Sequence, residues 1–222
     1  MEAAHQQRIR HEIPKGAVLL SKFEALAHQA ELIRNWEPQS DVWSLIFGRP
    51  ILSGAAALTG VYINQRFRRK LKLRQYGLLP TITGLVAGPT IATSLLYSQF
   101  VLNKLLLLEV PCPLCLESRS ILLQTCTGLF FPLILAPFAN FSIAANSGLH
   151  NIPHITDMKG IFRIISSTYQ PMIPILATIF TLHALLAGFI THSQIKSFLY
   201  VLDVQNFIEK EERDWKHASN DL

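Results

Sequence analysis

The segment PCPLC at 111–115 is where residue type and spacing in this sequence could do chemistry. The Cys-x-x-Cys pair, Cys112 and Cys115, sets two thiols close enough to cycle between dithiol and disulfide, and Arg119, one turn further on, can stabilise a thiolate. The same pair also fits a plain loop brace, so its redox state stays open at this point. As a zinc site it is incomplete, because no second cysteine pair exists and no histidine lies nearby. The chain has 3 cysteines, too few for a disulfide framework, and the third, Cys126, falls inside an apolar stretch. His183 and His192 lie in or at the end of another apolar stretch. There an ionisable side chain is either a functional group or a neutral imidazole bonded to a neighbouring helix. His150 and His154 sit in a polar connection and read as solvated. No Ser-His-Asp arrangement, phosphate loop or pair of intramembrane carboxylates stands out, so the sequence argues for neither a catalyst nor a transporter and calls for no cofactor and no metal.

The elements that must position these residues are membrane helices. Half of the 222 residues are hydrophobic and 16% are charged, against about 25% in an average soluble protein. The shortage of charge is concentrated: residues 76–102, 120–156 and 164–195 contain no Asp, Glu, Lys or Arg. Each run exceeds the roughly 20 apolar residues that cross a bilayer core. A soluble core helix keeps one polar face, and these runs keep none. The fold class expected is an all-α membrane protein, a bundle of about four transmembrane helices with amphipathic helices at both ends. Three segments follow: a polar tail and amphipathic helix at 1–41, a four-helix transmembrane domain at 42–195, and an interfacial helix with an acidic tail at 196–222.

In the first segment Leu19, Phe23, Leu26, Ala30 and Ile33 recur at alternating spacings of four and three, one apolar stripe on a helix. The first span is read as Val42 to Ile63, with Arg49 at the interface and Pro50 opening the membrane core. Ala56 with Gly60, and Gly84 with Gly88, place small residues four apart, the spacing that lets helices approach closely in lipid. The second span is read as Gly77 to Leu102, the third as Ile121 to Ala144, and the fourth as Pro171 to Thr191. A polar connection with Asn151, Pro153, Asp157, Lys159 and Arg163 joins the last two. Nothing in the first forty residues resembles a cleaved secretory signal, and Glu2 and Glu12 fit poorly with an acid-poor transit peptide. Targeting is therefore expected to be internal.

The net charge of +5 has one main address. Arg66, Arg68, Arg69, Lys70, Lys72 and Arg74 fall directly after one span and before the next. That position reads as a topogenic and partner-contact signal; a nucleic-acid partner would need a basic face on a soluble domain. The 103–120 loop offers Lys104 and Arg119 alone. The 64–75 loop is therefore expected on the cytoplasmic or matrix side, with both termini and the cysteine pair opposite.

Two resemblances bear on function. Four helices with a thiol pair at the membrane edge resemble the bacterial quinone-linked disulfide-bond oxidases, through Pro111, Cys112, Leu114, Cys115 and Arg119. That family passes electrons through two cysteine pairs, and this chain holds one pair, placed between the second and third spans. The order of features over about 45–200 resembles the transmembrane protein 126 family of the mitochondrial inner membrane. The matching pieces are RFRRKLK at 66–72 after a small-residue span, Leu79-Pro80, and Cys112/Cys115 followed by Arg119 and Ser120. FPLILAPFAN at 131–140, the connection from Pro153 to Gly160, and Pro171 to Pro174 also fit. The resemblance implies a non-enzymatic scaffold and chaperone for assembling the membrane arm of respiratory complex I. Its implied partners are membrane-arm subunits, other assembly factors and the bilayer, with the 64–75 loop in the matrix. The alternative from the other resemblance is a quinone-coupled thiol-disulfide oxidoreductase using Cys112 and Cys115.

Overall fold

The computed structural model describes residues 21–109, 112–146 and 158–220, and within these it is helices joined by short turns. Helix α1, Lys22–Arg34, starts where Ser21 closes a capping box. The Ser21 hydroxyl accepts the Glu24 N–H at 3.3 Å, and Glu24 Oε2 accepts the Ser21 N–H at 2.8 Å. The apolar stripe divides: Ile33 is buried and Leu26 packs beside it, whereas Phe23 is 81% exposed. Leu19 lies outside the described residues.

Four helices are long and apolar enough to cross a membrane. Helix α2 is Trp43–Lys70, α3 is Leu78–Leu106, α4 is Pro113–Ala145, and the last membrane-crossing helix, α6, is Ile173–Asn220. Between α4 and α6 the described chain resumes in α5, Met158–Tyr169. Thus part of what reads as a polar connection is an amphipathic helix whose Ile165 and Tyr169 pack onto the bundle; Asn151, Pro153, Asp157, His150 and His154 lie outside the described residues.

Helix α2 begins at Trp43, one residue from the expected start of the first span, and runs through Pro50. Two boundaries move. The basic run is not a loop from 64 to 75, because Arg66, Arg68, Arg69 and Lys70 sit in the last turns of α2 and the turn itself is 71–77. Arg and Lys are good helix formers, and cations are favoured near a helix C-terminus. Nor is there an interface-lying helix separate from the fourth span: α6 is 48 residues long and unbroken through Lys196. At 1.5 Å per residue it measures about 72 Å, more than twice a bilayer core of about 30 Å. Phe198 and Val201 are fully buried, so α6 continues the bundle past Lys196 as far as Val201, and residues 206–215 are exposed.

Two π-turns, Ser98–Leu102 in α3 and Cys126–Phe130 in α4, widen their helices locally. The second ends two residues before Pro132, whose ring nitrogen cannot donate to the Gly128 carbonyl four residues back, and the wider turn accommodates that missing bond. Two apolar clusters form the core. Leu52, Tyr97, Val101, Leu116, Ile190 and Phe198 meet toward the cysteine end, and Ile63, Phe67, Leu85, Leu129 and Ala136 meet toward the basic end.

Candidate functional site

Between and beside the apolar clusters runs a seam of paired polar groups. His183 on α6 is buried, with Nε2 2.9 Å from the Thr59 hydroxyl and Nδ1 3.0 Å from Gln124 Nε2. Thr59 donates its proton to the Ala55 carbonyl at 3.1 Å, so it can only accept from the imidazole. Nε2 therefore carries the proton, Nδ1 accepts from the Gln124 amide, and the ring is neutral. Gln124 Nε2 also reaches the Leu52 carbonyl at 3.0 Å. A second set joins Tyr97, whose hydroxyl donates to Gln194 Oε1 at 2.7 Å and lies 3.0 Å from Thr191. Gln194 donates onward to the Ser44 carbonyl, and Thr191 to Ser120. Toward the basic end Asn140 donates to Asn64 at 2.9 Å. Reading the sequence singled out His183 alone from this seam. The usable signal for Thr59, Asn64, Tyr97, Gln124, Asn140 and Gln194 was their polarity within uncharged spans, where a side chain without a partner is costly.

The small residues divide. Ala56 is fully buried, and a Cβ on Gly60 would lie 2.1 Å from the Leu85 carbonyl oxygen, so α2 and α3 touch backbone to backbone there. At Gly88 a Cβ would meet Phe131 and Leu135 side chains at 3.3 Å. Gly84, expected at a close crossing, is a correction: nothing lies within 4 Å of its would-be Cβ, and it faces outward.

At the basic end Arg68 departs from its neighbours. It is 5% exposed and holds the turn between α2 and α3. Its Nη1 donates to the Gly77 carbonyl at 3.2 Å and the Thr81 hydroxyl at 2.9 Å, and its Nη2 to the Arg74 and Tyr76 carbonyls at 2.9 and 2.8 Å. The turn needs such a hub, because Lys72 (φ 53°), Arg74 (φ 46°) and Gly77 (φ 61°) all adopt the left-handed conformation, which is strained for the first two. Gly77 is also required by space: a Cβ would sit 2.5 Å from Ile143. Arg68 is thus withdrawn from partner contact, while Arg66, Arg69, Lys70 and Arg74 are exposed.

At the opposite end Cys112 is the N-cap of α4, with Pro113 as the first helical residue and the Cys112 Sγ accepting the Cys115 N–H at 3.4 Å. Both cysteines are free thiols. The Cys115 thiol, and then its amide, lean on Cys112 and hold its thiol below the ordinary cysteine range. Cys126 lies on an outward face of α4 and cannot complete a relay with the pair. An ion pair and a hydrogen-bonded contact flank this end: Lys22 with Glu109 at 2.7 Å, whose hydrogen bond and charge hold the Glu109 carboxyl low, and His192 Nδ1 with Glu117 Oε1 at 3.0 Å. His192 is therefore a rim residue, unlike His183. Pro111 lies outside the described residues. Among the described residues no group of three metal-ligating side chains converges.

Four membrane-length helices, a buried polar seam and charged rims define a multi-pass α-helical membrane protein. A family model for transmembrane protein 126 matches residues 29–205. A transmembrane protein 126 of Drosophila melanogaster is 36% identical over 206 residues, covering 90% of this chain and 92% of that one. No solved structure matches the chain significantly. The chain belongs to the transmembrane protein 126 family.

Proposed function

We propose that this protein is an assembly factor of the mitochondrial inner membrane, a scaffold that holds newly made membrane-arm subunits of respiratory complex I while other assembly factors join. The observation that carries the reading is family membership over 29–205, together with the role that the family resemblance implies. The bundle supports it physically. Interior polar groups are turned largely on one another, while large apolar side chains such as Ile91, Leu122, Ile134, Phe138 and Phe189 face outward, a surface that lipid or another transmembrane helix covers. The excess of cations at the 66–74 end favours the matrix side for that end. Native-gel separation of respiratory complexes from cells lacking the protein tests the reading. Loss of assembled complex I with accumulation of membrane-arm intermediates is expected; normal amounts with reduced activity per complex would sink it.

One observation favours a second reading, thiol-disulfide exchange, namely the Cys112 thiol held at a helix N-terminus by Cys115. Replacing both cysteines by serine separates the two. An abundant, inserted double variant that still supports assembly leaves the scaffold; one that has lost all function points to redox chemistry.

A further inference from the structure

The exposed cations of the basic run are not scattered. Arg66, Arg69 and Lys70, on the last turns of α2, line one side of a pocket of about 320 Å³ whose other side is the junction of α5 and α6. Thr168 and Met172 are buried in that wall, and Ile175 continues it along α6 toward the membrane interior. The volume lies at the low end for ligand pockets, which run from about 300 Å³ upward, and suits a headgroup better than a whole lipid. Ser167 and Thr168 both turn their hydroxyls onto the Ile164 carbonyl, so each adds little to anion binding and the pocket's charge is that of its three cations. Among the described residues the Lys22–Glu109 ion pair lies at the cysteine end, and no carboxylate pairs with these three. The Arg66 guanidinium stands 5.3 Å from the centre of the Tyr62 ring, which fixes its lateral position without consuming its charge. On the same face of α2, at four-residue spacing, Tyr62 and then the 73%-exposed Leu58 continue away from the pocket toward the bilayer centre.

A pocket that is cationic at the level of the phosphates and apolar directly below has the polarity profile of one kind of molecule. We propose that Arg66, Arg69 and Lys70 bind the phosphate headgroup of an anionic phospholipid, with its acyl chains lying in the bilayer beside α2 and α6. Arginine suits the phosphate because its planar fork matches two oxygens at once, and basic pockets between transmembrane helices are a recurrent way to hold such headgroups. The site also gives the neighbouring charges separate tasks: Arg68 closes the turn internally, and the three cations around it hold the lipid that seals α2 to α6.

The full-length protein, purified in neutral detergent, is titrated with phosphatidylglycerol or phosphatidylcholine, and bound lipid is counted by native mass spectrometry. Wild type is expected to prefer phosphatidylglycerol. Each surface cation contributes about a five-fold factor, so Arg66→Gln/Arg69→Gln/Lys70→Gln is expected to weaken that binding roughly a hundred-fold. The matched variant Lys104→Gln/Arg119→Gln/Lys196→Gln, which removes the same charge at the other end, is expected to leave it intact. Arg69→Gln alone alters one exposed side chain and is expected to cost about five-fold, which keeps the test decisive if the triple variant does not fold. Equal retention of both lipids by wild type, or an equal loss in the matched variant, would overturn the site. Inorganic phosphate displacing the lipid at equal concentration would overturn the lipid as its occupant and leave a free-anion site.

Discussion

The seam between the helices and the rim around them are built from the same residue types. Gly60 lies at a backbone contact and Gly84 in the open; Arg68 is enclosed by four acceptors and Arg69 is exposed; His183 is bonded on both ring nitrogens and His192 meets one carboxylate at the surface. Seam residues bond chiefly to one another within the chain, with Gln124 Oε1, Asn64 Nδ2 and Asn140 Oδ1 left without a partner among the described residues, so their contribution is to stability. Rim residues keep unspent charge, reactivity or apolar area, so they carry whatever the protein does with lipid and partners. Membrane association magnifies the contrast, because helices in lipid are held by close packing and hydrogen bonds instead of the exclusion of water.

The contrast is sharpest at the glycines. Gly60→Leu forces a side chain against the Leu85 carbonyl, which cannot swing aside, so α2 and α3 must separate. A loss of about 3 kcal/mol or more is expected, the upper range for overpacking. Gly84→Leu should stay within about 0.5 kcal/mol. Unfolding in mixed detergent micelles measures both, and equal losses would erase the distinction between seam and rim. The arginines come next. Arg68→Gln strands carbonyls of a left-handed turn and should cost about 2–3 kcal/mol, with Arg68→Lys restoring little because an ammonium lacks the fork. Arg69→Gln should leave stability unchanged, and a comparable fall would mean that both cations brace the turn.

A smaller effect is expected at His183. His183→Phe removes two hydrogen bonds of a kind worth about 0.6 kcal/mol each on average in a membrane protein. Thr59→Val removes one of the same two, so the double variant should lose less than the sum of the singles. Strict additivity would contradict the Nε2–H geometry.

How much of this was legible in the sequence follows from the physics of each signal. The spans announced themselves because three uncharged runs are each longer than a bilayer needs, and length is a one-dimensional property. The continuity of α6 was legible too, since no Gly or Pro falls between Phe189 and Asn220, but the change to polar composition at Lys196 masked it. The basic run hides the end of α2, because a cluster of charge after an apolar span reads equally as a loop, although Arg66 to Lys70 suit the last helical turns. The close crossing could not be assigned, because four-residue spacing is shared by Ala56/Gly60 and Gly84/Gly88 and only the position of Leu85 tells them apart. The seam was hidden for the same reason: His183 is separated from Thr59 by 124 residues and from Gln124 by 59. Cys112 and Cys115 were visible from spacing, yet the cap that makes their two thiols unequal was not.

The smallest expected change in stability belongs to that pair, and it is the clearest case of a rim site defined by reactivity. Cys112→Ser/Cys115→Ser replaces one N-cap oxygen or sulfur acceptor by another at an exposed turn, so the fold should lose less than about 1 kcal/mol. The reactivity should shift instead. The thiolate is the nucleophile, and a thiol held below its usual range presents more of it at neutral pH. Cys112 lies below its usual range through the bonds from Cys115, so it should be alkylated faster than a reference thiol at neutral pH. In Cys115→Ala the donated thiol hydrogen bond disappears, the Cys112 thiol rises, and the midpoint of its alkylation profile moves to higher pH. Mass-spectrometric counting of iodoacetamide-labelled Cys112 against pH, in wild type and Cys115→Ala, reads this directly. An unchanged midpoint would mean that the cap does not tune the thiol, and the case for thiol chemistry at this end would fall with it.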